Sequence, residues 1–284
     1  MPPPQDPPQD PAVPTILSME IDDSWESEYR VRIGSRIKYL KIVSGTYDMP
    51  ILLSPLACLP PLPYDADTWT VARIAYNPSG RLEATLSAQQ LAGVQNAWHG
   101  ARVNVLDLQR TAPLSVRAFE AVVAGPGLQS LPLGPRQRVV AKIARFEQEI
   151  PSIERETRAY QLLALRGAAH LAPRFLGHVL EGDRVVGFLL ERLGDRRSAT
   201  VDDMELCSGA LGELHGLGVL HGDVGRRNFL VGRDGAKMVG FERFVEGAAE
   251  EARTGEMQRL RSVLVDQPVG FVFSGRAYHA GRSF

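Results

Sequence analysis

The residues best suited to chemistry lie in one short stretch, LHGLGVLHGDVGRRNFLV, which runs from Leu214 to Val231. In this stretch Asp223 is followed five residues later by Asn228, and an apolar run comes directly after it. A carboxylate can orient an attacking hydroxyl group and accept its proton, and an amide oxygen can hold Mg²⁺ without adding charge to the site. These residue types are therefore suited to phosphoryl transfer, which makes Asp223 and Asn228 the candidate catalytic residues and Asn228 the candidate metal ligand. The alternative is a helix followed by a polar turn.

Hydrophobic periodicity predicts the elements that must position these residues. Cys207, Leu211 and Leu214 recur at helical spacing before the stretch, and short apolar strands follow it. Strands, a helix, strands, a helix, a loop and a last helix make an α+β order. The predicted elements of this half are strands 116–123 and 138–146, a helix at 151–165, a hairpin of 175–179 and 185–190, a helix at 201–217, short strands 229–231 and 237–241, and a helix at 251–265.

The preceding part of the chain, residues 15 to 110, is predicted to be β-rich. Apolar and polar residues alternate around Gly34-Ser35 and again around Asn77-Pro78-Ser79-Gly80, which is typical of two hairpins. All three tryptophans lie in this part, and we expect them in its core. It contains no acid pair, metal-ligand spacing or nucleophile motif, so we expect an accessory layer.

Composition limits the class of protein. The formal net charge is −1, from 32 basic and 33 acidic residues, which argues against binding nucleic acid or a membrane surface through bulk positive charge. The two cysteines cannot form a disulfide framework. The proline-rich start resembles no signal peptide, and the apolar run at 50–63 is too short to span a bilayer. We therefore expect an intracellular protein, cytoplasmic or nuclear, with no nucleic-acid or membrane partner.

Taken together, these motifs resemble the protein-kinase-like superfamily over about residues 116 to 265. VVAKIARF resembles the kinase strand whose lysine pairs with the α and β phosphates, which nominates Lys142, one of only four lysines. A buried amine needs a partner, and the next predicted helix offers Glu156 or, as the alternative, Glu154. The resemblance implies that ATP and Mg²⁺ are the cofactors, and that the acceptor is an unknown protein or small-molecule hydroxyl.

The same resemblance implies where the adenine base would bind. FLLERL resembles the strand that leads into the hinge between the lobes, where backbone groups near Glu191 and Leu193 would contact adenine. Ala141, next to the lysine, is small enough to leave room for the ring. The implied organisation is a disordered proline-rich tail at 1–14, a β-rich extension at 15–110, a kinase-like domain at 111–266 (N-lobe 111–193, C-lobe 194–266) and an irregular tail at 267–284. The implied fold is a truncated bilobal protein-kinase-like fold.

The strand after the catalytic loop departs from the kinase pattern. It should end in Asp-Phe-Gly but reads Gly240-Phe241-Glu242, so Gly240 replaces the aspartate that would hold Mg²⁺. Glu242 could substitute only if the loop bends, because two strand residues shift a side chain by about 6.5 Å. The alternative function is therefore a pseudokinase that acts as a nucleotide-binding or partner-binding scaffold.

Two further features bear on the class of kinase. The chain is short after Phe244, and His221-Gly222-Asp223 lacks the usual arginine. Both features resemble aminoglycoside or choline kinases, minimal atypical protein kinases and short fungal kinase-like proteins. GPGLQS, at 125–130, is a weak match to a glycine-rich phosphate loop, and we expect an ordinary connection there.

The sequence also predicts roles for three more side chains of the catalytic loop. His221 is expected to hold the loop by hydrogen bonds. Arg226 and Arg227 would contact either a phosphate or the acceptor, or form a surface pair.

Overall fold

The structure, a computed structural model, describes residues 13–22, 24–134 and 136–265. The expected irregular tail at 267–284, and the proline-rich tail as far as residue 12, lie outside these ranges. The described residues divide into two compact units, the first made of those within 13–169 and 173–193 and the second of those within 170–172 and 194–265. Helices and strands both contribute, as the α+β prediction requires.

The first unit begins with a five-stranded sheet in the strand order β1-β2-β3-β4-β5. Neighbours are antiparallel except β3 and β4, which are parallel and are connected through the short helix α1. Both predicted hairpins are present, with turns at Gly34-Ser35 and at 77–81. The elements are β1 (Thr15–Glu20), β2 (Ser27–Ile33), β3 (Arg36–Ile42), α1 (Met49–Leu52), β4 (Val71–Tyr76) and β5 (Leu82–Ser87).

The tryptophans do not share one environment. Trp69 is fully buried in the core of the first sheet, as predicted. Trp98 is half-buried and its ring lies 4.8 Å from that of Phe175 in the second sheet. Trp25 is 76% exposed in the β1–β2 connection, so the expectation that it belongs to the core is wrong.

The second sheet of this unit has six strands in the order β6-β10-β11-β9-β8-β7. One face forms a continuous apolar core, and the helix α2 packs against β11. The predicted 175–190 hairpin and 151–165 helix are present. The elements are β6 (Arg102–Asn104), β7 (Leu108–Pro113), β8 (Ala118–Val123), β9 (Arg138–Ile143), α2 (Ile150–Leu165), β10 (Phe175–Glu181) and β11 (Arg184–Glu191).

Some boundaries differ from the predicted ones. Strand β7 crosses the boundary at 110/111, and β6 joins the same sheet from residues assigned to the extension. Residues 114–117 form the turn before β8, since the hydroxyl of Ser115 accepts hydrogen bonds from the N–H groups of Arg117 and Ala118. Strand β9 ends at Ile143 rather than residue 146.

A buried charge cluster joins the two sheets of the first unit. The guanidinium of Arg30, only 1% exposed, forms an ion pair with Glu181. Glu181 also accepts hydrogen bonds of 2.6 Å from the hydroxyl of Tyr39 and from Arg184. Burial alone would raise the pKa of Glu181, but the two arginines outweigh it, and the net direction is down.

The described part of the second unit contains two α-helices, one three-stranded sheet and one pair of strands. Its first helix is preceded by a capping box in which Asp203 accepts a hydrogen bond from the Thr200 N–H at 2.7 Å and forms an ion pair with Arg197. None of the helices in the described ranges is long and apolar enough to cross a bilayer. The elements are β12 (Arg197–Ser198), α3 (Met204–Gly216), β13 (Val219–Leu220), β14 (Phe229–Gly232), β15 (Gly235–Met238), β16 (Val245–Glu246) and α4 (Glu250–Val265).

Candidate active site

Lys142 and Glu156 form a buried ion pair in the first unit. Lys142 lies on β9, and its Nζ is 2.5 Å from Oε2 of Glu156 on α2. The two side chains are 12% and 2% exposed. Breaking such a pair by removing one partner leaves an uncompensated buried charge, which costs about 3–5 kcal/mol. The geometry therefore holds the amine in one position on the face of the sheet.

Glu154, the alternative partner of Lys142, has a different role. Its carboxylate accepts hydrogen bonds from the backbone N–H groups of Gln95 and Asn96, at 2.6 and 2.9 Å. Glu156 is the residue that the structure pairs with Lys142. The sequence favours Glu156 by its position before Arg158-Ala159-Tyr160, and residues two apart on a helix point about 200° away from each other, so the two carboxylates face different neighbours.

Ala141 lies on the opposite side of the sheet from Lys142. Consecutive strand residues point to opposite faces, and Ala141 is fully buried in the apolar core with Phe119 and Leu189. An adenine ring on the face of the sheet that carries Lys142 could therefore not contact the Ala141 side chain, so this part of the prediction is wrong. Val140, two residues before Lys142, shares its face instead.

The two residues proposed to contact adenine through backbone groups lie at the end of β11. The N–H of Glu191 donates to the carbonyl oxygen of Arg174 at 2.9 Å, and the Glu191 carboxylate accepts from the Arg174 N–H at the same distance. This N–H is therefore already engaged within the protein. Leu193 lies beyond the strand and is partly buried.

The GPGLQS stretch is a connection rather than a phosphate loop, as expected. Residues Gly125–Ser130 form a 3₁₀ turn between β8 and β9. The carboxylate of Asp107 accepts from the N–H of Gly127 at 3.3 Å. A carboxylate at this position disfavours a phosphate in the same place.

In the second unit, His221 orders the loop that carries Asp223, as predicted. His221 is fully buried, and its Nε2 lies 3.0 Å from the carbonyl oxygen of Val239. Because a carbonyl only accepts, Nε2 must carry the proton, which leaves Nδ1 to accept from the N–H of Asp223 at 3.3 Å. The partners therefore fix one tautomer of the imidazole.

The loop brings Asp223 and Asn228 together. Nδ2 of Asn228 donates to the backbone carbonyl oxygen of Asp223 at 2.8 Å. This bond orients the amide so that Oδ1, the atom that could bind a cation, points away from Asp223 O. The side chain of Asp223 is exposed, so a hydroxyl substrate could reach its carboxylate.

Glu256, on α4, holds the same loop, and sequence analysis missed it. Its Oε2 lies 2.8 Å from His215 Nε2 and accepts from the His221 N–H at 3.0 Å, while Oε1 accepts from the Gly222 N–H at 2.6 Å. Burial alone would raise the pKa of Glu256, but these hydrogen bonds outweigh it and lower the pKa. One sequence signal existed: Glu256 shares a helical face with the buried Leu260 and Leu264, where a carboxylate is out of place.

The chain bends at Gly240 rather than continuing as a strand to residue 241. Strand β15 ends at Met238, Gly240 has φ +80°, and Phe241–Arg243 form a 3₁₀ turn. A Cβ at position 240 would lie 2.7 Å from Asn228 Oδ1. The space that a side chain would need is thus taken by the amide of Asn228.

Arg226 forms contacts that neither predicted alternative named. Its guanidinium donates to the carbonyl oxygens of Val263 and Leu264 at the end of α4, at 3.0 and 2.5 Å. Orphan carbonyls at a helix C-terminus are satisfied in this way. Arg227 is exposed.

Position 240 does not fit the implied Mg²⁺ site, whereas the bend at Gly240 meets the condition under which Glu242 could substitute. The resemblance requires an amide oxygen at Asn228 and a carboxylate at position 240, and Gly240 supplies none. Mg²⁺ in proteins is usually held through one or two carboxylates. Across residues 13–22, 24–134 and 136–265 no group of three His, Cys, Asp or Glu side chains could hold a metal ion.

No family model matches the chain, and no curated protein matches it.

Proposed function

We propose that this chain is a kinase-like protein of bilobal type that binds ATP and belongs to the phosphotransferases, with Lys142 as its phosphate-binding residue. The observation that carries the proposal is the Lys142–Glu156 ion pair, a buried amine fixed on a sheet face by a helix carboxylate. The protein kinases use such a strand lysine and helix glutamate to hold the α and β phosphates. In this proposal Asp223 accepts the proton of a protein or small-molecule hydroxyl.

Calorimetric titration with ATP, with and without Mg²⁺, tests nucleotide binding. Lys142→Met keeps much of the side-chain volume and removes the amine, so we expect ATP affinity to fall by about 10- to 100-fold, since hydrogen bonds to charged groups contribute about 1.5–3 kcal/mol. Lys41→Met is the matched control, because Lys41 forms a partly exposed ion pair with Glu28 in the first sheet. Equal ATP affinity in both variants would contradict the role of Lys142.

Phosphate transfer is tested separately from binding. Asp223→Asn keeps the size of the side chain but cannot accept a proton, so any ADP production by the unaltered protein should be lost while ATP affinity is kept. Unchanged ADP production in this variant would refute the role of Asp223.

A second candidate function, a pseudokinase scaffold, is favoured by Gly240. The position lacks the carboxylate that kinases use for Mg²⁺, and the Asn228 amide occupies the adjacent space. In this reading the chain binds nucleotide or a protein partner without transferring phosphate.

Two substitutions at position 240 test whether the missing carboxylate is the reason that phosphate transfer would be lost. Gly240→Asp and Gly240→Asn displace the Asn228 side chain equally and differ only in charge. If the missing carboxylate is the reason, only Gly240→Asp should gain Mg²⁺-dependent ATP binding or ADP production. Identical behaviour of the two variants would contradict this explanation.

A further inference from the structure

The segment between the two sheets, residues 88–100, lies against α2. Both carboxylate oxygens of Glu154 accept backbone N–H groups of the segment, those of Gln95 and Asn96. Because each bond has a charged acceptor, each is about twice as strong as a neutral one. This single side chain therefore fixes two consecutive peptide groups to the helix.

Two further contacts flank this attachment. Before α2, Glu147 accepts from the N–H of Ala92 at 2.7 Å. One turn after Glu154, the backbone carbonyl oxygen of Thr157 accepts from the indole N–H of Trp98 at 3.2 Å. The segment thus contacts the 3₁₀ turn before the helix and the middle of the helix.

On its other side the same segment is fixed to the β10–β11 hairpin. The N–H of Val94 donates to the carbonyl oxygen of Val185 at 2.8 Å, and Arg184 donates to that of Ala92 at 2.6 Å. A Cβ at Gly93 would lie 3.0 Å from the Arg184 Cβ, so the backbone approaches the hairpin closely. The segment therefore connects α2 to the second sheet through bonds on both of its sides.

Glu156 depends on the position of this helix. It lies two residues after Glu154, and an α-helix rises about 1.5 Å per residue, so a small shift of the first turns moves its carboxylate away from Lys142. We propose that residues 88–100 position Glu156 against Lys142 by holding α2, and that Glu154 is the main positioning residue. An effect of this positioning on nucleotide binding rests on the proposed function. The positioning of Glu156 itself can be measured without nucleotide.

The experiment uses the full chain and the reactivity of its few lysines. A water-soluble amine-acylating reagent is applied to the folded protein, and labelling of each lysine is followed by mass spectrometry. Glu154→Gln retains one acceptor oxygen and loses the charge, and Glu156→Gln removes the partner of Lys142 directly. Glu83→Gln is the matched control, since Glu83 is exposed on β5 and bonds only locally, to Asn77.

We expect Glu154→Gln to raise the labelling rate of Lys142 at least about threefold, toward the rate of Glu156→Gln, because the first turns of α2 open more often. Lys41 and Lys237 should label as in the unaltered protein. Amide hydrogen exchange should become faster across residues 150–165, and Glu83→Gln should change neither readout. Trp98→Phe, which loses the N–H donor and part of the ring surface against Phe175, should change both readouts in the same direction and less.

The opposite pattern would overturn the inference. If exchange in Glu154→Gln becomes faster only at residues 92–98, while labelling of Lys142 stays at the unaltered rate, Glu154 merely anchors the segment. ATP titration of the unaltered chain is run alongside. Absence of ATP binding there would refute the proposed function, and the labelling comparison would still decide whether Glu154 positions Glu156.

Discussion

Substituting Glu256 with glutamine should destabilise the second unit strongly. The carboxylate receives three donors, the imidazole of His215 and the backbone N–H groups of His221 and Gly222, and it is 1% exposed. Glutamine has one oxygen, so it can accept at most the two donors that share Oε2, and its own N–H₂ would then face the Gly222 N–H.

The magnitude follows from these bonds. Hydrogen bonds to charged groups contribute about 1.5–3 kcal/mol and those to neutral groups about 0.5–1.5 kcal/mol. In the glutamine variant the hydrogen bond from Gly222 to a charged acceptor is lost, and the bonds from His215 and His221 are made to a neutral acceptor instead. We therefore expect the free energy of unfolding of this unit to fall by about 4 kcal/mol. The free energy of unfolding of a typical domain is about 5–15 kcal/mol, so this loss would be a large fraction of the stability.

The assay is amide hydrogen exchange of α3 and α4, followed as a function of urea. Glu251→Gln is the matched control on the same helix, because Glu251 is exposed and its substitution should cost less than about 0.5 kcal/mol. A loss in Glu256→Gln below about 1 kcal/mol, or equal to that in the control, would refute the role assigned to Glu256.

Glu256 also predicts how this stability depends on pH. Its pKa in the folded protein lies below the ordinary value of 4.5, so its contribution is complete above that pH and is lost as the pH falls through the lowered pKa. The Glu256→Gln variant should lose this component of the acid dependence. Parallel acid-unfolding curves for the two proteins would contradict the lowered pKa.

Three further predictions concern other parts of the fold. Gly240→Ala should lower the free energy of unfolding more than Gly218→Ala does. Both positions have positive φ, which costs about 1–2 kcal/mol for alanine, but only the Cβ at position 240 would meet Asn228. Equal losses of stability in urea unfolding would argue against that contact. Asp203→Asn should weaken the start of α3 by about 1–2 kcal/mol at neutral pH. Because hydrogen bonding to its arginine partner lowers the pKa of Asp203 from 3.8 to about 2, the difference from the unaltered protein should vanish as the pH falls from about 4 toward 2, and a constant difference would be inconsistent. Glu181→Gln should destabilise the first unit by about 3–5 kcal/mol, since it leaves a buried guanidinium without its counter-charge, and a loss under about 1 kcal/mol in urea unfolding would disprove that dependence.

The local elements could be predicted from the sequence because their causes are local. The hairpin at Gly34-Ser35 follows from alternation and a turn residue, and α2 follows from apolar spacing with a proline in its first turn. The bend at Gly240 was not predicted. An apolar run with a phenylalanine favours a strand, but β15 ends at Met238 and the chain then turns at Gly240, whose φ is positive.

The candidate site was predictable only where motif order marks it. Lys142, Asp223 and Asn228 stand in recognisable motifs, whereas Glu256 contacts its loop across 34 or more residues of sequence. The role of Glu154 depends on a segment almost 60 residues away. Such contacts arise from tertiary packing, which hydrophobic periodicity does not encode.

The placement of the tryptophans allows the unfolding of the two units to be followed by different spectroscopic signals. Trp25, Trp69 and Trp98 all belong to the first unit, and the sequence from 194 to 284 contains none. Intrinsic indole fluorescence therefore follows the unfolding of the first unit, while far-ultraviolet circular dichroism follows both. Any separation between the two melting curves of the unaltered protein would measure how far the units unfold independently, without a label or a truncated chain.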